Sequence, residues 1–181
     1  MSVKKKSLKA QIRSTIRDVH DFPKKGIVFK DITPILENTA LTRTITLEFV
    51  ASLKQEKVDA IVGIESRGFF WGLLIAQELK VPFIPVRKKG KLPYKTISHA
   101  YELEYGTAEI EMHEDAIKEG MNVIVHDDLL ATGGTACAAA ELVLKQKANV
   151  IGFSFLVILT FLLGEKKLKN YSTNVKGIVS Y

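Results

Sequence analysis

The residues best suited to chemistry are Asp127 and Asp128, which close the apolar run Val123-Ile124-Val125-His126 and precede Leu129-Leu130-Ala131-Thr132-Gly133-Gly134-Thr135. Such a run is a buried strand, here read as Asn122 to His126, and the small residues after it form a loop that opens a helix. Ligands of open α/β sheets bind beyond the carboxyl ends of the strands, which is where this loop stands. Gly133 and Gly134 let backbone N–H groups turn inward with no Cβ in the way. Thr132 and Thr135 add hydroxyl donors, and the helix start adds the positive end of its dipole. Ala131 to Thr135 therefore read as a phosphate cradle. Two carboxylates inside the cradle would repel the anion. One step earlier, they suit a group that donates hydrogen bonds or carries positive charge: sugar hydroxyls, a metal-bound water or a cationic transition state. Pair and cradle together point to a sugar phosphate. An ordinary capped turn needs neither two aspartates nor two glycines, and the Gly-Lys-Ser/Thr ending of a nucleotide P-loop is absent.

Three further segments carry chemistry. Gly63-Ile64-Glu65-Ser66-Arg67-Gly68-Phe69 follows a buried strand and precedes a helix, at the same edge of the sheet. Arg67 there suits either a diphosphate, which its planar fork can clamp, or a structural ion pair. Arg87-Lys88-Lys89-Gly90-Lys91-Leu92-Pro93 is a tight basic turn directly after a strand, suited to a ligand with several negative charges. In Phe22-Pro23-Lys24-Lys25-Gly26-Ile27-Val28-Phe29-Lys30, an aromatic ring such as Phe29 can stack on a base, or Val28 and Phe29 are core.

The elements that must position these residues follow from hydrophobic spacing. Leu8, Ile12 and Ile16 predict an N-terminal helix, broken by the turn residues Asp21 to Gly26. Leu41 to Leu53 reads as a second helix; then strand and helix alternate over Val58–Ile64, Gly68–Leu79, Val81–Val86, Asn122–His126, Thr135–Lys145 and Val150–Leu159. Period-two alternation over Tyr101 to Met112, around Gly106, predicts a hairpin or a pair of edge strands. Alternation of this kind implies an α/β fold, a mostly parallel sheet with helices on both faces. No repeat or linker interrupts it, so the reading is one domain over 1–181, with about 1–34 as a small N-terminal helix and hood.

Composition agrees. With 181 residues, 46% hydrophobic and 25% charged, the chain has the make-up of a globular protein of one ordinary domain. Its single cysteine, Cys137, excludes an internal disulfide framework and fits a reducing compartment. No apolar core follows the basic residues of Met1 to Leu8, so export by a signal peptide is not expected. Ile151 to Leu163 is apolar but shorter than the roughly 20 residues that a bilayer needs, and it reads as a doubly buried strand. The net charge of +6 admits nucleic acid, an acidic membrane surface or a phosphorylated small substrate. Lys4–Lys6 and Lys166–Lys169 read as solvated faces, which leaves the basic turn at Arg87–Lys91 and a phosphorylated small molecule.

Asp127 to Thr135 closely resembles the phosphoribosyl diphosphate signature of the type I phosphoribosyltransferases. The resemblance runs from about Phe22 to about Leu168 and implies that family's fold. It implies that Ala131, Thr132, Gly133, Gly134 and Thr135 hold the ribose 5-phosphate and that Asp127 and Asp128 face the ribose 2- and 3-hydroxyls. It makes Ser66 and Arg67 part of the pyrophosphate loop, with a non-proline cis peptide before Ser66, and gives Arg67, Lys88 and Lys91, with Arg87, to the diphosphate. Phe22 to Pro34 resembles the base-covering hood of the adenine-specific branch. Phe29 would stack on adenine while backbone groups of Val28 and Lys30 bond its edge. Lys30 stands where that branch often has Arg, so a backbone role carries over and a guanidinium role does not. Tyr101 to Gly106 resembles the end of a mobile catalytic loop and implies that Glu104 serves the base and its proton. The segment from about Lys91 to Glu104, polar and poor in apolar anchors, is accordingly expected to be a mobile lid.

The resemblance also shows departures. His126 replaces a usually apolar residue and, as a lone strand histidine, reads as structural; Ile158 stands where an acidic residue is common; Tyr171 to Tyr181 is only loosely similar. The reaction implied is displacement at the anomeric carbon of ribose, joining adenine to phosphoribosyl diphosphate and releasing AMP and pyrophosphate. Mg2+ is the implied cofactor, held mainly by substrate and water with no direct protein ligand. A cytoplasmic homodimer is implied, with no nucleic acid or membrane as partner. The rivals are a transferase for another base, against which the hood argues, and a phosphoribosyl-diphosphate-binding regulator of nucleic acid. The roughly 20 residues before Phe22 are too few for the helix-turn-helix module that the regulator requires.

Overall fold

The computed structural model of the chain describes residues 6–102 and 106–181. The chain forms two compact units, one up to Glu48 and one over Phe49–Tyr181.

In the first unit, helix α1 (Leu8–Thr15) starts where the Ser7 hydroxyl accepts the Ala10 N–H at 3.3 Å, and its stripe buries Ile12. Ile16 turns to extended backbone, and strands β1 (Arg17–His20) and β2 (Val28–Asp31) pair antiparallel, Arg17 opposite Asp31 and His20 opposite Val28. The spacing of Leu8, Ile12 and Ile16 predicts a helix broken only at Asp21 to Gly26; the helix instead ends at Thr15, and the turn at Asp21 to Gly26 joins two strands. Asp21 closes the turn in the left-handed region, accepting the Gly26 N–H on its carboxylate at 2.6 Å, and Gly26 itself has a φ of +87°. Helix α2 (Thr33–Leu36) follows, with Pro34 in its first turn, and α3 (Thr39–Leu53) begins where the Asn38 side chain accepts the Leu41 N–H at 3.0 Å.

The second unit is built on β3 (Ala60–Ile64), α4 (Gly68–Leu79), β4 (Phe83–Lys88), β5 (Thr96–Glu102), β6 (Thr107–His113), β7 (Asn122–Leu130), α5 (Gly134–Lys145) and β8 (Asn149–Ile158), with α6 (Gly164–Leu168) and β9 (Val175–Ser180) after a 3-10 turn at Thr160–Leu162. The sheet runs β5-β6-β4-β3-β7-β8-β9. From β4 to β9 neighbouring strands are parallel, and the β5–β6 hairpin joins β4 antiparallel. This is the mostly parallel α/β sheet that the alternation implied.

Helices cover both faces because successive strand residues point opposite ways. Val62, Val123 and Val125 join Ala136, Ala139 and Val143 of α5 in one core. His126, the next residue of β7, points to the other face, where a Cβ on Gly72 of α4 would stand 3.5 Å from its ring. The Phe49 ring lies edge-on to it at 5.0 Å.

Three elements differ from the sequence reading. Strand β7 continues through both aspartates to Leu130, because β8 pairs with it as far as Leu130 opposite Ile158 while β3 stops pairing at His126. Thr96–Glu102, expected within a mobile lid, is strand β5, paired with β6 from Thr96 opposite His113 to Glu102 opposite Thr107. The hairpin at Gly106 therefore starts earlier than Tyr101, where polar side chains hide the alternation. The loosely similar tail forms β9, parallel to β8, with Gly177 admitting Ile158, whose side chain would lie 2.4 Å from a Cβ there. Ile158 is buried by that contact, which accounts for an apolar residue at that position. The apolar run after Ile151 is divided between β8 and the 3-10 turn, and among the described residues no helix is long and apolar enough to cross a membrane.

Candidate active site

Asp127 and Asp128 lie near the carboxyl end of β7, next to the start of α4. Gly68, the first residue of α4, makes that approach possible: a Cβ there would meet the Asp127 carboxylate and the His126 carbonyl at 2.9 Å each. Asp127 accepts the N–H of Asp128 at 2.8 Å. Asp128 is buried, and its Oδ2 has no hydrogen-bond partner among the described residues, although the Arg67 guanidinium Nε lies 3.0 Å away. That contact is an ion pair without hydrogen-bond alignment. Burial pushes both carboxyls up; at Asp127 the Asp128 charge adds to it, and at Asp128 the Arg67 charge opposes it. The structural ion pair open to Arg67 is thus made with one of the aspartates themselves.

Glu65, Ser66 and Arg67 link β3 to α4, and the Glu65–Ser66 peptide is cis, as the resemblance implies. Phe22–Pro23, which the sequence did not single out, is cis as well. The basic turn after β4 is organised by two carboxylates that the sequence reading left unassigned. Glu65 pairs with Lys91 Nζ at 2.8 Å and Arg87 Nε at 3.2 Å, and accepts the Lys88 N–H at 3.1 Å. Burial raises its pKa, but Lys91, the Lys88 N–H and Arg87 outweigh that and hold it down at about 2. Arg87 also donates to the Lys91 carbonyl at 3.0 Å. Glu111, buried on β6 opposite Arg87, accepts the Lys91 and Leu92 N–H groups at 2.9 Å each and the Thr96 hydroxyl at 3.3 Å. Burial raises the Glu111 carboxyl too, and the backbone N–H groups of the turn bring it below its ordinary range. The only sequence signal for either glutamate was a carboxylate placed among apolar strand neighbours.

Ala131–Gly133 form the bend before α5, with Gly133 at a φ of +83° and no side chain capping the helix. The helix begins at Gly134, one residue before the sequence-based start. Gly164 at the start of α6 backs the bend; a Cβ there would sit 2.3 Å from the Ala131 carbonyl and 3.1 Å from the Gly133 nitrogen. Any larger residue would push the bend outward. Thr132 is exposed, and the Thr135 hydroxyl lies 3.1 Å from that of Tyr101 on β5.

The second unit therefore brings Arg67 to Asp128, and Arg87 and Lys91 to Glu65, at the carboxyl edges of β3, β4 and β7. In the first unit Val28 is 41% exposed, which removes it from the core. Phe29 packs edge-on against Phe22 at 5.2 Å, and the Lys30 amine pairs with Asp18 at 2.7 Å. Glu104 lies outside the described residues. His126 is structural, as read: fully buried, it shares a 2.8 Å hydrogen bond with Ser154, and burial drives its pKa down to about 3. Cys137 lies inside α5 as a free thiol.

Residues 31–179 match the phosphoribosyl transferase domain. Over all 181 residues the chain is 49% identical to the whole of an adenine phosphoribosyltransferase of Cytophaga hutchinsonii. Its fold superposes on the adenine phosphoribosyltransferase of Thermoanaerobacter pseudethanolicus with a TM-score of 0.93 and 46% identity, covering 97% of this chain and 100% of that one. The Saccharomyces cerevisiae enzyme, complexed with an imino-altritol bisphosphate and adenine, matches with a TM-score of 0.85 and 39% identity over 95% of this chain and 97% of its own. The chain belongs to the phosphoribosyl transferase family, in its adenine phosphoribosyltransferase branch.

Proposed function

We propose that phosphoribosyl diphosphate binds along the carboxyl edges of β3, β4 and β7. The chain transfers its phosphoribosyl group to adenine, giving AMP and pyrophosphate. The observation that carries the site assignment is the 3.0 Å approach of Arg67 to Asp128, which brings a diphosphate-binding cation and a ribose-facing carboxylate to one place. Ala131 to Thr135 take the 5-phosphate on backbone N–H groups and the Thr132 and Thr135 hydroxyls. Asp127 and Asp128 accept from the ribose hydroxyls and stabilise the positive charge that develops at the anomeric carbon. Ser66, Arg67, Arg87, Lys88 and Lys91 hold the diphosphate and neutralise it as it leaves. Val28 and Lys30 bond the adenine edge through their backbones, Phe29 stacks on the ring, and Glu104 handles its proton.

No covalent enzyme intermediate is required; rate comes from positioning and electrostatics. The hard oxygen donors of Asp127 and Asp128, of which the buried Asp128 Oδ2 has no hydrogen-bond partner among the described residues, would suit Mg2+ held through water and substrate. Bound there with the diphosphate, Mg2+ supplies charge neutralisation. The chain acts as a cytoplasmic homodimer, a reading supported by Phe70 and Leu73, which α4 leaves exposed as apolar surface for a second copy. Sedimentation equilibrium at the monomer mass would overturn the dimer. The reaction itself is tested by AMP and pyrophosphate formation from each purine base with phosphoribosyl diphosphate and Mg2+; turnover of another base in preference to adenine would refute it.

A further inference from the structure

The hairpin strand β5 lies along α5 and is tied to it at two places. Lys145, in the last turn of α5, donates its amine to the Ser98 carbonyl at 2.6 Å. At the other end Tyr101 meets the first turn, its hydroxyl 3.1 Å from the Thr135 hydroxyl. β5 passes close to the first turn of α5: a Cβ on Gly134 would be in ordinary contact with the Tyr101 ring at 3.6 Å and the Glu102 carbonyl at 3.8 Å. The Tyr101 ring also packs against the core of the unit, so the hydroxyl is delivered by a ring anchored on its apolar side.

We propose that Tyr101 is a positioning residue of the 5-phosphate site, acting through Thr135. This rests on the assignment of Ala131 to Thr135 as the phosphate cradle. A threonine hydroxyl has one proton and two acceptor lone pairs, and near a helix start it can turn onto the preceding backbone instead of toward a ligand. A phosphate dianion only accepts. When the Tyr101 hydroxyl donates to Thr135, it occupies an acceptor lone pair and leaves the Thr135 proton for the phosphate. The tyrosine thereby selects both the rotamer and the direction of the donor. It does so from a hairpin strand that is otherwise outside the site.

Calorimetric titration separates this role from a structural one. Wild type, Tyr101→Phe, Thr135→Val and the double variant are each titrated with ribose 5-phosphate and, separately, with pyrophosphate and Mg2+. Tyr101→Phe keeps the anchored ring and loses only the hydroxyl. It should weaken ribose 5-phosphate by about 3- to 10-fold, the scale of one hydrogen bond, and leave pyrophosphate unchanged. In the Thr135→Val background the same change should have no further effect on ribose 5-phosphate, since its route is gone. Unchanged ribose 5-phosphate affinity in Tyr101→Phe would overturn the proposal, as would equal weakening of both ligands or additive losses in the double variant. A wild-type chain that takes no ribose 5-phosphate would instead overturn the cradle assignment itself, and this inference with it.

Discussion

Arg67 Nε stands 3.0 Å from Asp128 Oδ2, so a residue assigned to the leaving diphosphate and one assigned to the ribose are coupled through the protein itself. Asp128 is buried and Arg67 only partly exposed, which places the pair where charge is felt strongly. On the proposed assignment, the diphosphate and ribose sites share one electrostatic unit.

Removing the cation should damage both functions. Arg67→Gln strands a buried carboxylate, so stability should fall by about 1–3 kcal/mol, less than the roughly 3–5 kcal/mol of a fully buried pair because Arg67 reaches solvent. kcat/KM for phosphoribosyl diphosphate should fall by roughly 100-fold or more. Arg67→Lys restores the charge without the planar fork and should recover stability more fully than activity. Urea unfolding and steady-state kinetics on both variants check the ordering.

Asp127→Asn and Asp128→Asn replace anions beside developing positive charge with neutral groups of the same shape. Each should lower kcat by about 100-fold while circular dichroism stays native. Near-normal rates in both single variants would make the pair structural.

Glu65 pairs with Lys91 and Arg87, so on the proposed assignment it competes with the diphosphate for them. Glu65→Gln keeps an acceptor for the Lys88 N–H but removes the competing charge. Pyrophosphate should then bind about 2- to 5-fold more tightly, the size of a partly exposed ion pair, and leave more slowly. Weaker pyrophosphate binding would mean that Glu65 chiefly orders the turn.

His126 links stability to pH. Its folded pKa, about 3, lies below the ordinary 6.5, so the unfolded chain takes the proton more readily. The contribution of neutral His126 is complete above about pH 6.5 and is lost progressively as pH falls toward 3, by roughly 4–5 kcal/mol at most. The raised Asp127 and Asp128 act in the opposite sense, favouring the fold at low pH, so the comparison needs a variant. His126→Leu should flatten the fall in unfolding free energy between pH 6.5 and 4 by up to one proton's worth of slope.

Adenine should be used about 10,000-fold better than hypoxanthine, because a site bonded to an amino donor is left unpaired by a carbonyl. Competition between the two bases for limiting phosphoribosyl diphosphate measures the ratio directly.

Much of the site was legible because its chemistry is local in sequence. Asp127 to Thr135 states a strand end, an acidic pair and a glycine loop within one short stretch, and Gly63 to Phe69 states a second loop. What escaped notice was contributed by residues distant in the chain. Glu111 is one of several glutamates in an alternating strand, and only the pairing of β6 with β4 sets it beneath the Lys91 turn. Tyr101 reaches Thr135 only because β5 folds along α5. The hairpin itself was underestimated because Thr96, Ser98 and His99 suggested a solvated loop, whereas an edge strand can be polar and still be held by its ladder.

The sequence alone determined the alternation of strands and helices from Val58 to Leu159, the mostly parallel α/β sheet and the glycine bend that opens α5. These depend on hydrophobic period and on glycines whose backbone demands are local. Only the tertiary structure decided which charges meet: Arg67 with Asp128, Lys91 and Arg87 with Glu65, and the Lys91 and Leu92 N–H groups with Glu111. It also decided that β7 runs on through its aspartates, since β8 supplies a partner strand that β3 does not. The physical reason is range. Periodicity and turn chemistry act over a few residues, whereas ion pairs, burial and strand partners are set by segments that only the fold brings within a few ångströms.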